Sequence, residues 1–175
     1  PVILVTLHSC TLEYDHTPYD VRALSSALFE LDAEVLMTAP NADTHSSVIT
    51  KYLGEVARLR PNARWIEPTD SHYLEIMASA DVMVGNSSSG IIEAPSFRLP
   101  VVNIGNRQKG RLRGDNVIDV PAETAAIRDG IRRALDPAFR AALSGANPYG
   151  DGQSAPRIAE ILRTVPLDRK LLEKT

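Results

Sequence analysis

The chain has little of what several protein classes require. A single cysteine, Cys10, excludes an internal disulfide and favours a reducing compartment, so we expect a cytoplasmic protein. No apolar run approaches the length of a bilayer span, and the net charge of -3 argues against a nucleic-acid surface as the main partner. We therefore expect a small-molecule partner, with no nucleic acid and no membrane.

The motifs of several familiar sites are also missing. The histidines show no HxH or HExxH spacing, from which we expect no metal. The segment "NSSSG" is not the GxSxG nucleophile elbow, and no GxGxxG follows the first apolar run, which disfavours a hydrolase triad and a dinucleotide fold. A thiol nucleophile at Cys10, two residues after His8, stays open as an alternative without a visible orienting group.

Short apolar runs rich in β-branched residues alternate with helical patterns along most of the chain. This alternation predicts an α/β fold with a doubly wound, Rossmann-like parallel sheet. After Pro121 the pattern is helical only, and we expect those helices at one edge. The predicted strands are 2–7, 34–38, 64–66, 81–84, 101–104 and 117–120, and the predicted helices are 19–31, 47–59, 73–80, 123–135, 138–143, 155–164 and 167–173.

The segment "GNSSSG", residues 85–90, follows the fourth predicted strand, where ligands of such sheets bind. Its hydroxyl groups precede a helix start, whose free N–H groups carry the positive end of the helix dipole. Phosphate is the natural ligand for such a place. The alternative is that Ser87 or Ser88 caps the helix and the other serines fill a tight turn.

Glu93 falls in the second turn of that helix, and its carboxylate is expected to lean back toward the helix start. A carboxylate repels phosphate but accepts hydrogen bonds from a sugar diol, and the two together are typical of a nucleotide site. The alternative is a solvated helix glutamate. We also expect Pro95 to kink or shorten this helix.

The segment "GNRQKGR", residues 105–111, places basic side chains beside the serines, where they either neutralise a diphosphate or remain solvated. Arg107 is the strongest candidate because it is closest to the strand end, ahead of Lys109, Arg111 and Arg113. His8 closes the first strand at the same edge, where a role in acid–base chemistry and a structural role both stay open.

Residues 85–111, "GNSSSGIIEAPSFRLPVVNIGNRQKGR", resemble the UDP-N-acetylglucosamine 2-epimerases, especially the hydrolysing kind that releases UDP and N-acetylmannosamine. The resemblance extends to "LVTLH", "TLE", "PNAD", "YLEIMASADVMVGN" and "NPYGDGQSAPRIAEIL", and so covers nearly the whole chain. One position departs from the family pattern: Ser9 stands where a proline usually follows the strand-end histidine.

The resemblance implies the C-terminal half of the two-domain GT-B architecture, with residues 1–175 as one nucleotide-sugar-binding domain. Helices within 155–175 are expected to pack on the N-terminal half. By resemblance, UDP contacts Asn41, Ser87, Ser88, Gly90, Glu93 and Arg107, and His8 is the catalytic histidine near the diphosphate.

The family mechanism eliminates UDP across C1 and C2 of the sugar, and water then adds while C2 is reprotonated on the opposite face. The resemblance places the proton-transferring carboxylates in the N-terminal half and implies no cofactor. It also implies sialic acid biosynthesis and a homo-oligomer of the longer protein. The sugar can equally be a 2,4-diacetamido relative. Other readings are a non-hydrolysing epimerase, another GT-B glycosyltransferase and a non-catalytic nucleotide-sugar-binding module.

Overall fold

The computed structural model describes residues 1–67 and 70–173 and contains a six-stranded parallel sheet flanked by helices. The α/β prediction is thereby confirmed. Every predicted strand is present, with bounds shifted by one residue at most. The strands are β1 Val2–Thr6, β2 Glu34–Thr38, β3 Ala63–Ile66, β4 Val82–Gly85, β5 Val101–Ile104 and β6 Val117–Val120.

The predicted helices are present as well, with bounds that differ by a few residues. A 3-10 turn at Thr11–His16 was not predicted, because its non-helical backbone at Glu13 breaks any regular apolar period. A second 3-10 turn spans Ala94–Phe97. The helices are α1 Thr17–Phe29, α2 Ser46–Leu59, α3 Asp70–Ser79, α4 Ser89–Ile92, α5 Thr124–Ala134, α6 Pro137–Ala142, α7 Ser154–Thr164 and α8 Arg169–Leu172. No described helix combines the length and the hydropathy that a bilayer span needs.

The strand order β3-β2-β1-β4-β5-β6 determines where a ligand can bind. The chain runs outward from β1 through β2 to β3, and then returns to form β4 on the other side of β1. Connections leave these two neighbours in opposite directions, which opens a crevice at their carboxyl ends. The loops after β1 and β4 therefore border the natural binding crevice of the sheet.

Both faces of the sheet are buried, as a parallel sheet requires. Side chains alternate along β1: Ile3 and Val5 join a cluster under α1, α2 and α5, while Leu4 joins a cluster under α3 and the 3-10 turn at Ala94–Phe97. Fully buried leucines, isoleucines and methionines on both faces supply the main stabilisation, at roughly 25 cal/mol per Å² of apolar surface.

The helix after the serines is short, as expected from the position of Pro95. α4 ends at Ile92, and Pro95 lies in the following 3-10 turn because its ring occupies the place of a helical N–H donor. Arg98 then takes a left-handed backbone conformation with φ of 50°, and the chain turns directly into β5. The four residues of α4 carry only a small dipole, and Glu93, expected in the second turn of the helix, is instead the residue that follows α4.

Candidate functional site

Asn86 joins the loops that follow three strands. Its Oδ1 accepts a hydrogen bond from the N–H of His8 at 2.8 Å, and its Nδ2 donates to the carbonyl oxygen of His8 at 2.8 Å. The carbonyl oxygen of Asn86 accepts from Arg107 Nη1 at 3.0 Å and from Gln108 Nε2 at 2.7 Å. Through these bonds Asn86 holds the ends of β1, β4 and β5 together, and the residue is only 4% exposed.

Sequence reasoning missed Asn86 and Gln108, although both are amides that closely follow buried strands. A polar side chain in such a position must find hydrogen-bond partners, which is the signal that could have identified them. Gln108 is 1% exposed, so it belongs to the interior of the site and not to the solvated basic loop.

Gly85 permits the close approach of β4 to β1. Its φ is 140°, and a Cβ at this position would lie 2.0 Å from the carbonyl oxygen of Thr6. No L side chain fits there. The loop carrying Asn86 and the serines is therefore held directly against the loop carrying His8.

His8 is half-buried and neutral around pH 7. Its Nδ1 accepts the backbone N–H of Asn41 at 3.1 Å, which assigns the ring proton to Nε2. Burial is the largest cause that lowers the pKa of His8 to about 4; Arg107 lowers it further and Asp43 opposes the shift. The imidazole is thus a hydrogen-bond donor through Nε2 and carries no positive charge.

Ser9 anchors the loop after β1, where the family pattern has proline. The side chain is 2% exposed, and its Oγ lies 3.1 Å from Oγ1 of Thr17 at the start of α1. This hydroxyl pair ties the loop to α1 and holds the backbone next to His8. Cys10, one residue further, is a partly buried free thiol.

Capping of the helix by a serine side chain, the alternative to a phosphate site, is not observed at Ser88. Ser88 occupies the cap position of α4, but its side chain makes no capping hydrogen bond. Instead, Ser87 Oγ accepts the N–H of Ser89 at 3.3 Å and lies 2.8 Å from Ser89 Oγ. Ser87 and Ser88 are half-buried at the carboxyl end of β4, where an anion in the crevice can reach them.

Gly90 lies on the inner side of α4. A Cβ at this position would meet Val101 Cγ1 at 2.8 Å and Met83 Sδ at 3.6 Å. The absence of a side chain lets α4 pack closely on β4 and β5. This packing explains the glycine without a ligand, so the geometry offers a structural reason for Gly90 beside the role that the resemblance implies.

Glu93 lines a cavity of about 380 Å³ together with Leu74, Phe97, Asn147 and Tyr149. Its Oε2 atom is buried and has no hydrogen-bond partner within the described part of the chain. A buried carboxylate oxygen without a donor is costly, so this atom is ready to accept a hydrogen bond from a ligand. The lining of this cavity includes neither Ser87 nor His8, so Glu93 borders a compartment beside the serine loop.

Three of the basic residues after β5 lie in three different places. Arg107 turns toward the serine loop through its bond to Asn86. Arg113 holds its own loop, because its Nη2 donates to the carbonyl oxygen of Gln108 at 3.1 Å and its Nε lies 3.0 Å from Asp119. Lys109 lines another cavity of about 690 Å³, together with His16.

Of the predicted site residues, the structure brings His8, Asn41, Arg107 and the serine loop together, whereas Glu93 lines a separate cavity. Asn41 reaches His8 through its backbone, while its side chain donates to Asp43. Within residues 1–67 and 70–173, no three His, Cys, Asp or Glu side chains form a group that could hold a metal ion.

Comparison with known proteins gives a consistent result. A family model described as UDP-N-acetylglucosamine 2-epimerase matches residues 1–163. A Legionella pneumophila protein named UDP-N,N'-diacetylbacillosamine 2-epimerase (hydrolyzing) is 36% identical over 99% of this chain and 45% of its own length. A Campylobacter jejuni protein named GDP/UDP-N,N'-diacetylbacillosamine 2-epimerase (hydrolyzing) is 40% identical over 66% of this chain and 31% of its own length. The chain thus spans less than half the length of these curated relatives.

Solved structures share the fold. The structure of UDP-GlcNAc 2-epimerase from Neisseria meningitidis bound to UDP-GlcNAc has a TM-score of 0.70 and 21% identity, over 93% of this chain and 44% of that one. The S. aureus MnaA-UDP co-structure has a TM-score of 0.70 and 17% identity over the same shares. The matched part is slightly less than half of each of these solved chains.

Proposed function

This chain belongs to the UDP-N-acetylglucosamine 2-epimerase family, and from that premise we propose that it is the UDP-binding half of a hydrolysing 2-epimerase. The observation that carries the proposal is the convergence on Asn86. One buried amide joins a neutral histidine, an arginine and a serine loop at the crevice between β1 and β4. These are groups that bind a diphosphate.

The proposed diphosphate site uses hydrogen-bond donors from three loops. A guanidinium has five N–H donors, and the described bond from Arg107 to Asn86 uses one of them. Ser87 and Ser88 add hydroxyl and backbone groups. Because α4 is only four residues long, we assign most of the attraction to Arg107 and these donors and little to a helix dipole.

His8 fits a donor to the departing phosphate oxygen. When the bond between C1 and the phosphate oxygen breaks, negative charge grows on UDP, and a neutral imidazole with its proton on Nε2 can donate to it. The same proton assignment makes His8 a poor base, since Nδ1 is already occupied by Asn41. We infer that His8 stabilises the leaving group and does not remove the C2 proton.

The proposed reaction balances in two steps. A base outside this chain takes the C2 proton, a C1–C2 double bond forms, and the phosphate oxygen leaves with its electron pair as UDP. Water then adds to C1, and a proton returns to C2 on the opposite face. The products are UDP and the 2-epimerised acetamido sugar.

We propose that Glu93 accepts hydrogen bonds from the ribose diol. Its unpartnered Oε2 faces no donor in the described chain, which supports this role. Asn41 is proposed to border the same crevice through its backbone contact with His8. Gly90 acts in the site through close packing of α4, which sets the height of the serine loop over the sheet.

The proposed sugar is a 2,4-diacetamido hexose, with N-acetylglucosamine as the second candidate. The Legionella relative, whose name specifies diacetylbacillosamine, is 36% identical over 99% of this chain. A Neisseria meningitidis relative named UDP-N-acetylglucosamine 2-epimerase is 30% identical over 89% of it. The difference supports the diacetamido substrate.

Residues 1–175 are proposed to form one nucleotide-sugar-binding domain, whose terminal helices pack on another part of a longer protein. The apolar side chains of α7 support this arrangement: Ile158, Ile161 and Leu162 are 56%, 62% and 71% exposed. A helix with such a face normally buries it. The homo-oligomer of the longer protein belongs to the same proposal.

Two measurements test the proposed function. The first is calorimetric titration of this chain with UDP, in which Glu93→Gln should bind UDP at least tenfold more weakly than Glu55→Gln, an exposed control on α2. The second uses the longer protein with either UDP-sugar in D2O and no acceptor. Release of UDP and of a 2-epimerised sugar with deuterium at C2 supports the hydrolysing epimerase.

The same experiment separates the alternatives. A non-hydrolysing epimerase returns the epimeric UDP-sugar and releases little UDP. A glycosyltransferase or a non-catalytic binding module incorporates no deuterium at C2. If this chain failed to bind UDP in calorimetry, the proposed function would be wrong irrespective of the turnover result.

A further inference from the structure

A chain of hydroxyl groups leads from the carboxyl ends of β1 and β2 to the serine loop. Thr38 Oγ1 donates to Thr6 Oγ1 at 3.0 Å, and Thr6 Oγ1 lies 3.5 Å from the hydroxyl of Tyr73. The Tyr73 hydroxyl lies 2.8 Å from Ser89 Oγ, which lies 2.8 Å from Ser87 Oγ. Four elements are connected in this way: β1, β2, α3 and the start of α4.

The residues beneath the loop are well shielded. Thr6 and Thr38 are both 5% exposed, and Ser89 is 9% exposed. Hydroxyl groups at such depth need partners, and here each satisfies the next. Ser87, at the outer end, is half-buried and borders the crevice.

Thr38, at the inner end of the chain of hydroxyl groups, sets the direction in which their protons point. A hydroxyl has one proton to donate, and for Thr38 the nearer acceptor is Thr6 Oγ1 at 3.0 Å, while the carbonyl oxygen of Val5 is 3.4 Å away. The proton of Thr6 is then available to Tyr73, that of Tyr73 to Ser89, and that of Ser89 to Ser87. The proton of Ser87 is left to point out of the chain, into the crevice.

We propose that Tyr73 is a positioning residue for the diphosphate: its hydroxyl links the buried threonines to Ser89 and so keeps the Ser87 hydroxyl oriented as a donor. This inference rests on the proposed UDP site. A donor at Ser87 attracts a phosphate oxygen, whereas a lone pair in the same place repels it. A bound anion strengthens the same proton order, since hydrogen bonds in a chain polarise one another.

The test removes one oxygen atom. Tyr73→Phe keeps the ring and its packing but deletes the link, and we expect UDP to bind about three- to tenfold more weakly in calorimetry. Inorganic pyrophosphate should lose affinity by a similar factor. Uridine, titrated by NMR, should bind both proteins equally, because it has no phosphate. Tyr19→Phe, on an exposed tyrosine, is the matched control and should leave UDP affinity unchanged.

A double-substitution cycle shows whether Tyr73 acts through Ser89. Ser89→Ala alone should weaken UDP binding, and in that background Tyr73→Phe should cost nothing further. Equal losses in both backgrounds would overturn the inference, as would unchanged UDP affinity in both single variants. Failure of the unsubstituted chain to bind UDP would instead overturn the proposed function. Thermal unfolding of each variant confirms that the comparison is made on folded protein.

Discussion

The side-chain amide of Asn86 contacts both backbone groups of His8. From this geometry we predict that Asn86→Asp destabilises the folded chain. A carboxylate oxygen would replace Nδ2 opposite the His8 carbonyl oxygen, so an attractive contact becomes a repulsive one. We expect the free energy of unfolding to fall by about 1–3 kcal/mol at pH 7.

Urea denaturation of both proteins measures this loss, and the pH provides an internal control. Below the pKa of the new aspartate, the protonated carboxyl can donate to the His8 carbonyl oxygen again, so the difference between the two proteins should shrink. A difference that stays constant from neutral to acidic pH would show that the amide does not act through this donor.

We predict that the lowered pKa of His8 makes the folding stability depend on pH. Its pKa is about 4 in the folded chain against an ordinary value of 6.5. Between these values the unfolded chain binds the imidazole proton and the folded chain does not, so folding stability falls as the pH falls from 6.5 toward 4. Above 6.5 both states are neutral, and the contribution is constant.

The His8→Asn variant isolates this contribution, because it lacks the titrating ring and retains an acceptor for Asn41. Relative to this variant, the unsubstituted chain should lose stability across that pH window, as measured by urea unfolding at several pH values. NMR titration of the imidazole gives the pKa directly. Arg107→Gln should raise the pKa of His8, since the guanidinium is one cause of its lowering. An unshifted value near 6.5 in the unsubstituted chain would contradict the buried, neutral histidine.

The residues that could be predicted from the sequence are those at the ends of recognisable strands. His8, Ser87 and Arg107 follow apolar runs, and parallel strands bring such positions to one edge. Asn86 and Gln108 also follow strands, but their hydrogen-bond partners, like those of Tyr73, could not be predicted, because these contacts span 16 to 78 positions of sequence. A sequence pattern identifies the strand ends but not the long-range contacts between them.

At the scale of elements, the packing of α4 on β5 predicts the outcome of Gly90→Ala. The added methyl group would lie 2.8 Å from Val101 Cγ1, which is closer than van der Waals contact allows. We expect a loss of about 1–3 kcal/mol in unfolding free energy from overpacking. UDP affinity should fall only as far as the serine loop is displaced.

A second substitution tests the cause of this loss. Val101→Ala removes the opposing methyl groups, so Gly90→Ala should cost less in that background than alone, as measured by thermal and urea unfolding. If Val101→Ala gave no relief while UDP binding was abolished, the glycine would owe its place to the ligand and not to helix packing.

The elements themselves were largely predictable, because each buried strand is a short apolar run and each covering helix has a regular apolar period. The missed turn and the short helix both have physical causes. The 3-10 turn at Thr11–His16 has no such period, and Leu12 within it is 95% exposed. The helix after the serines is four residues long because Pro95 follows it so closely.

At the scale of the whole molecule, the resemblance predicted one half of a GT-B architecture, and the fold confirms it. The structural match covers 93% of this chain but only 44% of the Neisseria epimerase structure. An enzyme cleft in this architecture lies between two halves. The strand ends described here therefore supply one wall of the proposed site.

This arrangement predicts that the isolated chain binds UDP and does not turn over a UDP-sugar. Removing the C2 proton needs a base within about 3 Å of it, and His8, the histidine at the proposed diphosphate, has its proton on Nε2 and its Nδ1 occupied by Asn41. The chain can thus bind and stabilise the leaving group without starting the reaction.

We expect calorimetry to detect UDP binding, while incubation with either UDP-sugar in D2O releases no UDP and introduces no deuterium at C2. The longer protein under the same conditions is the control. Turnover by the isolated chain that Glu93→Gln diminishes would show that the base lies within these 175 residues, and the division of labour between two halves would then be wrong.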